Sequence, residues 1–396
     1  MTISSFINTT NAAPNAKFKI STNPELEINE MREIESKFSV TLSQDITMQG
    51  NFLNPQKNIL FLVAFLFIQP LLAQHPTKQA IVKYLSQLSH NKTKRVISGQ
   101  FESWGSSVRP LNDTANIANI IHKKTGKWVG LIGAEYQTGQ QVNYQNTNQL
   151  FIEQWNKGGF CQLYLIMTNP CNPTSFNGGG RCDMNAVLDS KHAYNKYFYA
   201  ELDKVAVGLK ELQQKGVVVF LNMFAEATAN WFWWGGGKPA DFIALFRNAH
   251  DYLVKTKGLT NLLFVYEPSC SDNLALQYYP GRKYVDMIGF SLFIDYDKLL
   301  DTSNIQYYQQ LKKLGKPLAI SQWGPRRGQD QTQSADQPPA DNLKLIQGIQ
   351  KYYPEIVWWM NWNYAYSICT PSKSNYNGKE LLNNPWVINR DEIKVH

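Results

Sequence analysis

Eight short β-rich runs follow one another downstream of residue 90: RVISGQ, WVGLIGAE, CQLYLIMT, VVVFLNMFAE, NLLFVYEP, VDMIGFSLF, PLAISQWG and IVWWMNWN. Nothing else in the chain constrains its fold as strongly. The runs are apolar nearly throughout rather than alternating, which is the pattern of strands buried on both faces. Between them lie stretches such as KYFYAELDKVAVGLKELQQKG and DFIALFRNAHDYLVKTKG, whose apolar residues recur at helical spacing and which end in Lys and Gly, both helix stop signals. Strands covered on both faces by intervening helices form a parallel sheet, and eight such units favour its closure. The reading is an α/β fold, a single-domain (β/α)8 TIM barrel over residues 75–396. A doubly wound open sheet is the competitor, but no Gly-rich phosphate turn follows the first run.

The segment upstream reads differently. Residues 59–72 form the one long apolar run, interrupted by Gln69 and Pro70 and too short to span a bilayer comfortably. With Met48 and Lys57 before it and the small residue Ala73 after it, residues 48–74 read as a signal peptide cut near Ala73 or Gln74. Residues 1–47 then form an upstream extension outside the mature fold, with translation starting at Met1 or Met48. A signal anchor is the alternative. The expected product is a secreted or periplasmic monomer with no stable membrane association after cleavage. Five cysteines suit an oxidising compartment: two disulfides are expected, with Cys161 buried, and the pairing stays open. Asn91 and Asn112 begin glycosylation sequons.

The formal charge is +8, but Lys and Arg are dispersed without a dense basic run, which argues against nucleic acid. The six histidines show no HxH or HExxH spacing, and no CxxC pair is present, so no metal and no cofactor is expected. Eleven Trp, 20 Tyr and 20 Phe suit a ligand with flat apolar faces, such as a pyranose ring, although large cores use aromatics too.

In a parallel barrel the site forms where strands end and loops begin. Three carboxylates stand there, Glu135, Glu226 and Glu267, among Trp104, Trp231, Trp233, Trp234, Trp323 and Trp362. Half of these Trp residues are expected only to pack. Arg326 and Arg327 could meet an acidic glycan, or simply be solvated.

The segment EATANWFWWGGG, with VISGQ, GGFCQLYLIMTNP, NLLFVYEP, YYPGRKYVDMIGF, KPLAISQWG and the terminal NNPWVINRDEI in the same order, resembles glycoside hydrolase family 26, whose members are mostly endo-β-mannanases. The resemblance covers nearly all of residues 95–396. It implies that Glu226, five residues before Trp231, is the general acid/base. It also implies that the strand-seven nucleophile position is Gln322, an amide that cannot ionise. The family's Arg, His and Asn around the acid/base correspond to Asn222, Ala225 and Thr228, and a Tyr after strand six to Phe293. Glu135, Trp231, Trp234, Glu267, Phe293, Trp323 and Trp362 become candidate substrate-binding residues. Glu135 or Glu267 could serve as a base if the reaction inverts, which needs carboxyls about 6.5 to 9.5 Å apart.

Two functions compete. One is a glycoside hydrolase acting on β-1,4-mannan or a related β-linked polysaccharide, with Gln322 standing at its nucleophile position. The other is a non-catalytic glycan-binding barrel. A phosphosugar isomerase lacks support, because no glycine-rich phosphate loop follows strands seven or eight.

Overall fold

The computed structural model describes residues 75–395 apart from 92–93, 139–140, 175–177, 271–272, 296–297, 299, 327–339, 364–365 and 370–374. The proposed extension and signal segment, and Arg327, lie outside the described residues, as does the side chain of Arg326.

Eight parallel strands form the barrel wall: β1 (Gly99–Trp104), β2 (Leu131–Glu135), β3 (Phe160–Tyr164), β4 (Val219–Asn222), β5 (Leu262–Tyr266), β6 (Met287–Asp295), β7 (Leu318–Arg326) and β8 (Ile356–Asn361). Each pairs with its sequence neighbour, and β8 closes the ring by pairing with both β7 and β1. Each of the eight runs read from the sequence overlaps one of them. The reason lies in burial: every residue of β2, β3, β4, β5 and β8 is buried, so both faces had to be apolar.

Helices cover the outside. Ala193–Gln214 buries Phe198, Leu202, Val205, Leu209 and Leu212 at i, i+3, i+4 spacing. Gly216 follows it at φ 71°, a left-handed stop that favours glycine. The pattern DFIALFRNAHDYLVKTKG, expected as one helix, divides into an α-helix over Pro239–Asp251 and a π-helical turn over Tyr252–Thr256.

Among the described residues one disulfide forms, Cys171–Cys182, across the loop after β3, and Cys161 is fully buried. The second expected bridge is absent, a correction to the cysteine reading. Cys270 follows β5 and Cys369 follows β8, with β6 and β7 between those strands in the ring, so the two thiols lie in different sectors of the barrel.

Candidate functional site

The carbonyl ends of β4 to β7 gather five polar side chains, Glu226, Glu267, Ser291, Ser321 and Gln322, into one cluster. Beyond β4 the chain runs four residues to Glu226, which sits at φ 51°, a left-handed conformation that costs a non-glycine residue on the order of 1 kcal/mol or more. Two bonds to Glu267 hold it there. The Glu226 N–H donates to Glu267 Oε1 at 3.3 Å, and the Ala227 N–H donates to the Glu267 carbonyl at 2.8 Å.

This turn aims the Glu226 carboxyl at two donors. Ser291 Oγ donates to Oε1, and Trp231 Nε1 donates to Oε2 at 2.6 Å. Burial pushes the Glu226 pKa up, against the opposing pull of these two hydrogen bonds. A carboxyl biased toward its neutral form yet engaged by an exposed indole is suited to give a proton to a ligand oxygen.

Glu267, one residue past β5, has no exposed surface. Ser321 Oγ donates to its Oε2, and Gln322 Nε2 donates to its Oε1 at 2.6 Å. Burial first, and the charge of Glu226, push its pKa up to about 7, against the bonds from Ser321 and Gln322. Gly289 makes room for this contact, since a Cβ there would lie 2.1 Å from Ser321 Oγ. Gln322 pairs in register with Ser291, the residue that holds Glu226. Glu226, Glu267 and Gln322 therefore occupy one corner of the barrel mouth.

An aromatic wall stands on the ends of β1, β3 and β8. The Trp362 ring stacks on Phe101 at 3.9 Å, with an interplanar angle of 15°. It meets Tyr164 edge-on at 5.3 Å and Trp104 at 6.3 Å. Tyr164 is held neutral by burial and by the charges of Glu267 and Glu226, so it links the wall to the carboxyl corner.

The WFWW run divides by burial. Trp231 is 46% exposed, whereas Trp233 and Trp234 are core residues that donate to the Met167 and Ala225 carbonyls at 3.0 and 2.9 Å. These two anchors pin the loop and leave Trp231 as its outward face. Gly235 closes the turn, where a Cβ would meet the Ala229 carbonyl oxygen at 1.8 Å.

Two expected sugar platforms are thereby corrected: Trp234 is 0% exposed and Trp323 4% exposed, so neither offers a face to a ligand. Trp323 instead packs into the hydrophobic core, and its carbonyl accepts the Trp362 N–H at 2.8 Å. Phe293 is half-buried and edge-on to Tyr366 at 5.4 Å. Glu135 is almost fully buried at the end of β2. Its Oε1 accepts the Ile166 N–H at 3.1 Å, and burial, with Glu201 nearby, pushes its pKa well up. Its described contacts do not include the Glu226 corner. Ser291, Ser321 and Tyr164 belong to the site without having been singled out from the sequence. Their signal was position, since Ser291 and Tyr164 lie on strands whose neighbours carry a candidate carboxylate or the amide, and Ser321 directly precedes Gln322.

Fold and cleft together define the class, a (β/α)8 barrel of the glycoside hydrolase kind. Residues 72–392 match glycosyl hydrolase family 26, and the chain belongs to that family. A mannan endo-1,4-beta-mannosidase of Bacillus subtilis (strain 168) is 28% identical over 344 residues, 81% of this chain and 87% of the relative. The solved structure of a Bacillus subtilis mannanase superposes with a TM-score of 0.69 at 26% identity, over 81% of this chain and 95% of the other. The beta-mannanase from a symbiotic protist of the termite Reticulitermes speratus, complexed with gluco-manno-oligosaccharide, shares the fold at 22% identity and a TM-score of 0.64, over 81% of this chain and 96% of that one.

Proposed function

We propose that this chain is a secreted or periplasmic barrel that binds β-1,4-mannan or a closely related β-linked glycan along its carbonyl-end cleft and hydrolyses it only slowly. The mannan-acting names of its relatives support the ligand. One observation carries the catalytic part. Gln322 occupies the position matched to the family's nucleophile, and Glu267, the carboxylate bonded to it, has no exposed surface.

Retaining hydrolysis of the usual kind uses a second carboxyl about 5 to 5.5 Å from the acid, free to attack the anomeric carbon. An amide cannot ionise, and Glu267 has no exposed surface, so it cannot meet a sugar or orient a water as an inverting base would. Glu226 keeps the geometry of a proton donor. Asn222, Ala225 and Phe293, in place of the family's Arg, His and Tyr, support natural divergence of the whole corner rather than a single exchange. The Cys171–Cys182 disulfide supports an oxidising destination.

The test of the ligand is a binding panel of linear mannan, glucomannan, xylan and lichenan. Tightest binding to mannan or glucomannan is expected, and binding to none of the four contradicts the reading. N-terminal sequencing of the natural product tests the destination. A start near residue 74 is expected, and a cytosolic protein starting at residue 1 contradicts it.

A further inference from the structure

Gln322 is a polarised amide. Its Nε2 is given to Glu267 at 2.6 Å, which leaves Oε1 as the amide atom not engaged by Glu267, on a side chain that is 6% exposed at the cleft floor. Glu267 is itself fixed, by Ser321 Oγ on Oε2 and by the Glu226 N–H on Oε1, so the amide cannot turn without breaking a buried charge-assisted bond. A carboxylate that accepts an amide N–H shifts electron density onto the amide oxygen. Glycosidases that lack a protein carboxylate nucleophile and are assisted by their substrate show that retaining chemistry does not require one.

We propose that Gln322 attacks the anomeric carbon through its amide oxygen, with Glu267 as acceptor of the amide proton. This rests on the reading of the cleft as a β-glycan site and deepens it, by naming the route of the slow hydrolysis. In the first step the C1–O bond to the leaving sugar breaks as C1–Oε1 forms, and Glu226 gives its proton to the departing oxygen. The Nε2 proton passes to Glu267, leaving a neutral O-glycosyl imidate on Gln322. In the second step the Glu226 carboxylate takes a proton from water, whose oxygen bonds to C1. The C1–Oε1 bond breaks as that bond forms, Glu267 returns its proton to Nε2, and the amide is restored. No oxidant or co-reactant is required, and the anomeric configuration is retained. A Glu267 pKa near 7 suits a group that must take up and release a proton at neutral pH.

The experiment follows a β-1,4-manno-oligosaccharide with the wild-type protein, Glu267→Gln and Gln322→Ala. Binding is read by calorimetry, slow release of reducing ends by assay, and the configuration of the wild-type product by NMR. Glu267→Gln preserves the shape and the hydrogen bond but removes the proton acceptor. The expected result is slow wild-type hydrolysis with retention, cut about 100-fold or more in both variants, with affinity for Glu267→Gln within a few-fold of wild type. A glycosyl adduct on the Gln322 peptide, formed with an aryl β-mannobioside bearing a good leaving group, is expected only in proteins that keep Gln322. Binding without any wild-type turnover, turnover with inversion, or turnover unchanged by Glu267→Gln overturns the proposal while leaving the binding reading intact. Absence of binding in the wild type overturns both.

Discussion

Glu226 donates its backbone N–H to Glu267 Oε1 at 3.3 Å, so the proposed proton donor and the buried carboxylate share one corner, and the charge of Glu226 helps push the Glu267 pKa up. Gln322 completes that corner at 2.6 Å from the same oxygen. Any carboxylate introduced at position 322 must therefore share a proton with Glu267.

Gln322→Glu should raise mannan hydrolysis by roughly 10- to 100-fold, short of the roughly 10⁴-fold that nucleophile loss costs elsewhere. Two carboxyls in contact cannot both ionise easily, and Glu267, already raised to about 7, keeps the shared proton. The introduced carboxyl ionises first, so activity should appear near neutral pH and fall in acid, where both groups are protonated. A pH–rate profile decides this. No gain over wild type at any pH would show that position 322 does not face the anomeric carbon.

Trp231 is the exposed face of the loop that Trp233 and Trp234 anchor. Trp231→Ala should weaken glycan binding about tenfold, roughly 1.4 kcal/mol, because an aromatic platform is lost. Trp231→Phe should keep most of the affinity but, without the indole donor, push the Glu226 pKa further up. Calorimetric titration of the three proteins checks the order. Equal affinity of wild type and Trp231→Ala would remove Trp231 from the binding surface.

Glu102, on β1, accepts the Ile117 N–H at 2.9 Å at the start of a helix, and burial pushes its pKa up to about 8. The folded value lies above the ordinary one of 4.5, so the stability it contributes is fully present below about pH 4.5. That stability is lost as pH rises toward 8. Glu102→Gln keeps an acceptor oxygen without the ionisation. Its melting temperature should fall less than that of the wild type between about pH 5 and pH 8, and parallel curves would refute the assignment.

Strand order was legible because a closed parallel barrel buries both faces of its strands, and unbroken apolar runs such as VVVFLNMFAE leave little alternative. Glu226 was legible through its spacing to Trp231. Which tryptophans face solvent was not, since Trp231 and Trp234 differ only in how the loop packs onto β3 and β4. The bond between Glu267 and Gln322 joins residues 55 apart in sequence, and no local pattern announces it. The expected partnership of Cys270 or Cys369 failed for the same reason, because sequence spacing does not report position around the ring.

The most direct measurement is wild-type turnover of a linear β-1,4-mannan at saturation, with binding recorded on the same sample. Clear binding is expected, with turnover about 10⁴-fold or more below the roughly 1 to 10³ per second common among enzymes. Turnover within that range, abolished by Glu226→Gln, would contradict it and show that the corner of Glu226, Glu267 and Gln322 works as a full hydrolase.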